Sequence, residues 1–181
     1  MKRQLIAIVL LLNFFVVSAQ KYSTKTGNLK FEASVISFEE VAAENKNTAA
    51  ILQTTTGDLA IVTLVKGFQF KIALMQEHFN ENYMESEKFP KAYFKGKIEN
   101  FKLSDLTQGV KNLKLQGDLT IHGKSKKIVT VAKVQLQENK LVLTGNFEVK
   151  PEEFGIEIPK LLTKKVAERV KIMYSLALQE Q

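Results

Sequence analysis

Apolar and polar residues alternate one by one along most of the chain, and this period of two constrains the fold more than any other feature. Side chains two positions apart share one face of a β-strand, so the alternation predicts strands with one buried and one solvated face. We assign eight strands within Leu29–Val35, Thr48–Thr55, Asp58–Val65, Ala92–Ile98, Leu113–Ile121, Ile128–Leu136, Leu141–Val149 and Val170–Leu178. Eight antiparallel strands can close into a barrel. The sequence therefore predicts an all-β fold, an eight-stranded antiparallel barrel.

One segment departs from this period. Ile72, Met75, Phe79 and Tyr83 are spaced by three, four and four residues, which is the stripe of an amphipathic helix. Phe89-Pro90 is expected to end it, because the residue before a proline disfavours helical geometry. We predict one helix between strands three and four. A shorter helical turn around Leu161 to Val166, after Pro159, is compatible with the sequence.

The first nineteen residues have the pattern of a secretory signal peptide. Lys2 and Arg3 precede an apolar run from Leu5 to Val17, and Val17-Ser18-Ala19 offers small residues for cleavage. A membrane anchor is the alternative, but a helix needs roughly 20 apolar residues to cross a bilayer, and this run is shorter. We expect cleavage after residue 19, a single domain over residues 20–181, and a periplasmic or secreted location.

Composition limits the classes of partner. The chain has 26 basic and 19 acidic residues, and without Lys2 and Arg3 the net charge is +5. The lysines are scattered, and Arg169 is the one arginine after residue 19, whereas nucleic-acid sites usually combine arginines with a continuous basic stripe. We expect no nucleic-acid partner, although transient contact with an anionic membrane surface fits the charge. The sequence has no cysteine, which excludes disulfides and thiol chemistry.

The stretch GDLTIHGKSKKI, from Gly117 to Ile128, contains a Gly-Lys-Ser that could end a phosphate-binding loop. Such a loop requires glycine five residues before the Gly of Gly-Lys-Ser, where this chain has Asp118, and a helix afterwards. Here a β-branched strand follows. We interpret the stretch as a hairpin in which Gly123-Lys124-Ser125-Lys126 turns the chain.

Residues that could carry catalysis form no recognisable set. His78 lies on the predicted helix and His122 at the end of a strand, and zinc would require three or four ligands. No serine has the Gly-x-Ser-x-Gly context of a nucleophile. The acidic pairs Glu152-Glu153 and Glu85/Glu87 are interpreted as turn and surface residues. We predict no catalytic residues, no metal and no cofactor.

The inward face of the predicted barrel is the candidate site. Its residues are mostly Phe, Leu, Ile and Val, interrupted by Gly96, Gly117 and Gly145. Glycines in strands mark bends or positions where something requires space. At this level a barrel filled by its own side chains and a barrel that holds a ligand remain equally compatible with the sequence.

Three stretches together resemble the YceI-like family of exported polyisoprenoid-binding proteins: MQEHFNENYMESEKFPKAYFKGKI from Met75 to Ile98, GDLTIHGKSKKI after it, and FEVKPEEFGIEIP from Phe147 to Pro159. The resemblance implies a lipocalin-like barrel in a bacterial periplasm or outside the cell. It also implies binding of a long isoprenoid and no known catalytic residues. Many members have an Asp-x-x-His-Ser pattern near the start, where this chain reads Thr26 to Phe31, and a basic residue where it has Met75-Gln76. An acyl lipid, a quinone or a fatty amide therefore remains compatible with the same apolar wall.

Three hypotheses about function follow. In the first, an exported lipid-binding protein holds an isoprenoid or similar amphiphile against Met75, Phe79, Phe94, Leu119, Ile121 and Phe147, while lysines near the mouth attract a charged head group. In the second, the barrel is packed shut and the protein serves in stress or interaction. In the third, it is a lipid-modifying enzyme, which would require His78 or His122 to meet carboxylates in the cavity. The oligomeric state is left open.

Overall fold

A computed structural model describes residues 20–35, 38–159 and 166–181. Its elements are nine strands and one α-helix within these residues. They are β1 (Lys21–Ser34), β2 (Ala42–Gln53), β3 (Asp58–Leu64), β4 (Gln69–Phe70), α1 (Ala73–His78), β5 (Lys91–Ile98), β6 (Lys111–Ile121), β7 (Lys124–Gln137), β8 (Lys140–Val149) and β9 (Val166–Glu180).

Eight long strands in the described residues form a closed antiparallel barrel. Their order is β1-β9-β8-β7-β6-β5-β3-β2, and β1 also pairs with β2, which closes the ring. The predicted eight-stranded barrel, with its helix between the third and fourth long strands, is confirmed. The two-residue strand β4 was not predicted. It pairs with Ala43 and Glu44 of β2 and continues the edge along which β3 pairs.

Strand β6 shows how the sequence pattern sets the register. Leu113, Leu115 and Leu119 are buried, while Lys114 and Asp118 are exposed. The same alternation continues across the paired strands, where Leu119 lies opposite Phe94 and Leu115 opposite Ile98. The predicted inward direction of the odd-numbered residues is therefore correct, and a shift by one residue would have placed Lys114 and Asp118 in the core.

The two ends of the barrel differ in packing. We call one end of the barrel the mouth. It is the end where β1 finishes and β2 begins, and where residues 65–90 connect β3 to β5. The opposite end is called the far end. Large apolar side chains fill the far end; they include Leu52, Leu59, Ile98, Phe101, Leu106, Leu141 and Leu178, all with at most 7% exposure. Burial at about 25 cal/mol per Å² of apolar surface stabilises this packed half of the barrel.

The hairpin between β6 and β7 is tighter than the sequence predicted. Ile121 pairs with Lys124, so the turn consists of His122 and Gly123, with φ of 50° and 72°. A two-residue turn with both φ values positive matches the right-handed twist of the strands. Placing the turn at Gly123 to Lys126 was therefore wrong, because Lys124 to Lys127 already pair with β6.

The helix exists, but it is shorter than predicted. The α-helix ends at His78, and Phe79–Tyr83 continue it as a π-helical turn. Turns from Met84 to Phe89 then lead to Pro90, so the helix ends before the Phe89-Pro90 pair that was expected to end it. Met75, Phe79 and Tyr83 still lie on one side, as their spacing predicted, because all three face the barrel interior.

Two predictions lie wholly or mainly outside the described residues. These are the signal peptide over residues 1–19 and the helical turn at residues 161–165; Val166, at its end, begins β9. Within the described residues, no helix has both the length and the apolar character needed to span a membrane.

Candidate ligand-binding cavity

The half of the barrel nearer the mouth contains a cavity of about 590 Å³. Its wall is predominantly apolar and draws on all the strands except β2, together with the helical segment, which consists of α1 and the π-helical turn Phe79–Tyr83. The cavity stops where the packed leucines of the far end begin. The structure thus combines the two alternatives that the sequence left open, since one half of the barrel is filled and the other is hollow.

All six residues that we predicted to contact a ligand line this cavity. Met75 and Phe79 reach it from the helical segment, Phe94 from β5, Leu119 and Ile121 from β6, and Phe147 from β8. The structure brings them together around one space. Their contact with a ligand remains a prediction.

Sequence reasoning missed other parts of the wall. Phe68 and Phe70 lie between β3 and α1, where neither period is visible. Phe154 ends a short 3-10 helix after β8, and Ile156 and Ile158 follow it in an irregular segment. Phe31 and Ile61 could have been assigned, because they follow the alternation of their strands. Irregular segments have no periodicity that would reveal which side chains face inward.

Four phenylalanines form an aromatic cluster at the mouth: Phe31, Phe68, Phe70 and Phe79. The rings of Phe31 and Phe79 are stacked with centroids 5.3 Å apart, and Phe79 lies 5.1 Å from Phe70 and 5.9 Å from Phe68. Such pairs contribute about 0.5–1.5 kcal/mol each beyond their burial. The cluster holds the helical segment on the barrel and makes one side of the cavity mouth.

The three inward glycines make room for aromatic rings. A Cβ at Gly96 would lie 2.4 Å from Cζ of Phe94, and one at Gly117 would lie 2.7 Å from the same atom. A Cβ at Gly145 would lie 2.3 Å from the hydroxyl oxygen of Tyr174. Gly96 and Gly117 thus leave space for the ring of Phe94, and Gly145 leaves space for the ring of Tyr174. The prediction that these positions need space is confirmed, and the space they provide is taken by the protein's own side chains.

A small polar network interrupts the apolar wall near the mouth. Asn45 donates from Nδ2 to Oγ1 of Thr63 at 2.9 Å and to the carbonyl oxygen of Leu64 at 2.9 Å. The hydroxyl of Thr48 contacts Oγ1 of Thr63 at 3.1 Å. Asn45, Thr48 and Thr63 are at most 5% exposed, and Thr63 lines the cavity.

Tyr174 is the second buried polar residue of the wall. Its hydroxyl has no hydrogen-bond partner among the described residues. Burial raises the pKa of this phenol to about 12, because the phenolate would lose its hydration. The group therefore stays neutral at physiological pH.

The two histidines lie in different surroundings. His78 lines the cavity, whereas His122 contacts the carboxylate of Glu85 and the carbonyl oxygen of Phe154. No group of three or more His, Asp or Glu side chains in residues 20–35, 38–159 and 166–181 is arranged to hold a metal ion. The carboxylates discussed above lie at the surface, where the side chains of Glu87 and Glu152 are 88% and 75% exposed.

Charged side chains surround the mouth. Lys30 and Glu39 contribute to the lining, and Lys71 forms an ion pair with Glu40. The hydrogen bond from Lys71 lowers the pKa of the Glu40 carboxyl. Exposed apolar side chains stand beside these charges, since Phe38 is 48% and Leu74 57% exposed. The mouth is therefore amphipathic, while the interior is apolar.

A closed antiparallel barrel with an apolar interior cavity places the molecule in the lipocalin-like class of folds. The model of the YceI-like domain matches residues 13–178, and the chain belongs to this family. No curated protein matches the sequence closely.

Solved structures share this fold at low sequence identity. A polyisoprenoid-binding domain from Saccharophagus degradans, implicated in plant cell wall breakdown, has a TM-score of 0.75 and 15% identity, covering 90% of this chain and 99% of that one. BcnA of Burkholderia cenocepacia has a TM-score of 0.69 and 17% identity, covering 83% and 95%. A mutant YceI protein of Campylobacter jejuni has a TM-score of 0.60 and 16% identity, covering 79% and 88%.

Proposed function

We propose that the protein is an exported lipid-binding protein that holds one long-chain isoprenoid or similar amphiphile in its cavity. The observation that carries this proposal is the apolar cavity of about 590 Å³ at the mouth end of the barrel. At about 30 Å³ per water-sized group, it accommodates on the order of 20 such groups. The polyisoprenoid binding stated for the Saccharophagus degradans domain supports the same class of ligand.

The energetics favour a long tail. Burial of one methylene contributes about 0.8 kcal/mol, so ten methylenes contribute about 8 kcal/mol before the ordering of the ligand is subtracted. A tail of about fifteen carbons contributes about 12 kcal/mol, and an ordering cost of about 4 kcal/mol leaves about 8 kcal/mol, which corresponds to a micromolar Kd without strong polar contacts. Affinity should depend on tail length more than on the head group. The lysines at the mouth would add attraction for an anionic head.

The cavity argues against a barrel packed shut. It gives less support still to a lipid-modifying enzyme, because His122 contacts Glu85, which does not line the cavity. His78 does line it, but no hydrogen bond or ion pair joins His78 to a carboxylate in the described residues. Lipid mass spectrometry on natively purified protein would identify the co-purified ligand. A titration with prenyl and acyl chains of increasing length should then show saturable binding that strengthens with length. Binding that is absent, or that is indifferent to length, would contradict the proposal.

Export is the second part of the proposal, and it is supported by the basic start, apolar run and small residues before position 20. N-terminal sequencing of protein recovered from the periplasm or medium should begin near Gln20. Recovery of chains that retain Met1 in a membrane pellet would contradict export with cleavage.

A further inference from the structure

We propose that the Thr63 hydroxyl donates a hydrogen bond to an oxygen atom of the bound lipid, just inside the mouth. The ligand would then be a long-chain lipid with an acceptor oxygen where its head joins its tail, rather than a plain hydrocarbon. This inference rests on the proposed lipid-binding function and adds a polar requirement to it.

The orientation of Asn45 is determined by its partners. Its Oδ1 accepts the backbone N–H of Asn47 at 2.9 Å, and its Nδ2 faces the carbonyl oxygen of Leu64, which can only accept. The amide therefore presents a donor to Thr63. Space for this amide depends on Gly67, where a Cβ would lie 2.4 Å from Nδ2 of Asn45.

One hydroxyl hydrogen of the network has no acceptor. Thr48 and Thr63 have two hydroxyl hydrogens and share one hydrogen bond, while Asn45 only donates to Thr63. One hydroxyl hydrogen is therefore left without a partner among the described residues, whichever threonine donates to the other. When Thr48 donates, the free hydrogen is on Thr63, which lines the cavity. An unmatched buried donor is unfavourable, and a ligand oxygen at this position would satisfy it.

The location of Thr63 fits the junction between a head and a tail. Thr63 is the second-last residue of β3, and β3 ends at the mouth with Leu64. Ile61 lines the cavity two residues deeper on the same strand face, and Phe94 lies opposite Ile61 on β5. A lipid whose tail lies against these side chains places its first oxygen beside Thr63. When the Thr63 oxygen accepts hydrogen bonds from Asn45 and Thr48, its own O–H group becomes a stronger donor.

The test compares an acceptor lipid with a hydrocarbon. Methyl palmitate carries ester oxygens that accept but cannot donate hydrogen bonds, and an n-alkane of equal length carries none. The substitution Thr63→Val keeps the branched shape and removes the hydroxyl, and Thr63→Ser keeps the hydroxyl. Thr54→Val is the matched control, because Thr54 is a buried threonine at the far end whose hydroxyl donates to the carbonyl oxygen of Gln20.

Thr63→Val should weaken methyl palmitate binding about three- to tenfold and leave alkane binding unchanged. Thr63→Ser should retain ester binding, and Thr54→Val should change neither. In infrared spectra the carbonyl band of the bound ester should lie at lower frequency in wild type and Thr63→Ser than in Thr63→Val. A merely structural role of Thr63 would not shift this band.

Equal weakening of ester and alkane by Thr63→Val would overturn the inference. The inference would also be overturned if the carbonyl band of the ester bound to the wild type had the same frequency as that of the ester in alkane solvent. This measurement uses the wild type alone and does not require any variant to fold. Failure of both probes to bind the wild type saturably would instead contradict the proposed function, and this inference with it. Saturable ester binding without the hydrogen bond leaves lipid binding intact and removes only the role of Thr63.

Discussion

The imidazole of His122 contacts the carboxylate of Glu85, with Nε2 at 2.7 Å from Oε2. This contact joins the turn of the β6–β7 hairpin to the segment that follows the helix. Phe89 supports the same junction, since its ring centroid lies 4.5 Å from that of His122. The hairpin turn therefore anchors the chain that leads from the helical segment at the mouth back into β5.

Replacement of Glu85 by alanine should destabilise the protein by about 1 kcal/mol. Loss of one partner of a hydrogen bond usually costs about 1–3 kcal/mol, and the lower end applies because the Glu85 side chain is 44% exposed and water can replace it. Glu87→Ala is the control, since Glu87 pairs with Lys66 on the surface and should change the free energy of unfolding by less than about 0.5 kcal/mol. Urea unfolding measures both, and equal stabilities of the two variants would contradict an anchoring role for Glu85.

The register of β6 predicts opposite results for neighbouring residues. Leu119→Asp should prevent folding or cost several kcal/mol, because Leu119 is 7% exposed and an isolated buried carboxylate is strongly disfavoured. Asp118→Leu should be tolerated, since Asp118 is exposed on the outer face. Thermal unfolding distinguishes them. Similar melting temperatures would mean that the side chains of β6 face the other way.

The barrel could be predicted from the sequence because its strands are two-sided. Buried Leu113, Leu115 and Leu119 alternate with exposed polar residues, and this pattern determines both the strand and its inward face. The six predicted cavity residues lie on such strands or on the amphipathic helix. The family resemblance, which the matching domain model confirms, gave the same fold independently.

Features that the period of two does not encode could not be predicted. The alternation of the strands is the same for the predicted four-residue turn and for the observed two-residue turn of His122 and Gly123, so it does not reveal that Ile121 pairs with Lys124. Phe68 and Phe70 line the cavity from a segment without periodicity. The sequence also left open how far the core fills the barrel, because cavity volume depends on where the rings of Phe94 and Tyr174 lie beside Gly96, Gly117 and Gly145.

We predict that the protein loses stability at alkaline pH because Tyr174 is buried. Its pKa in the folded protein is about 12, compared with an ordinary value of 10.0. The unfolded chain therefore loses this proton first, and the stabilisation present below pH 10 disappears as pH rises through the folded pKa. At about 1.4 kcal/mol per pKa unit, the loss between pH 10 and 12 is about 2–3 kcal/mol.

The substitution Tyr174→Phe should remove this part of the alkaline loss. Some loss should remain, because burial and Glu180 also raise the pKa of Tyr22. At neutral pH the variant should be at least as stable as the wild type, since the Tyr174 hydroxyl has no partner among the described residues. Urea unfolding at a series of pH values provides the comparison. Identical pH profiles for the two proteins would show that Tyr174 is not the titrating group.

Phe79→Asp should weaken the binding of a long prenyl chain about tenfold or more. Phe79 lines the cavity and stacks on Phe31, so the change removes apolar contact area worth about 1.5–3 kcal/mol and places a carboxylate in the aromatic cluster. The fold should survive, because neither α1 nor the π-helical turn contains a fully buried residue.

Two substitutions of exposed residues serve as controls for Phe79→Asp. Val131→Asp introduces the same carboxylate on the outer face, where Val131 is 53% exposed, and Lys97→Ala changes another exposed residue. Both controls should bind as the wild type does in the same titration. Wild-type affinity in a folded Phe79→Asp variant would mean that the ligand does not pass or occupy the space beside the helix.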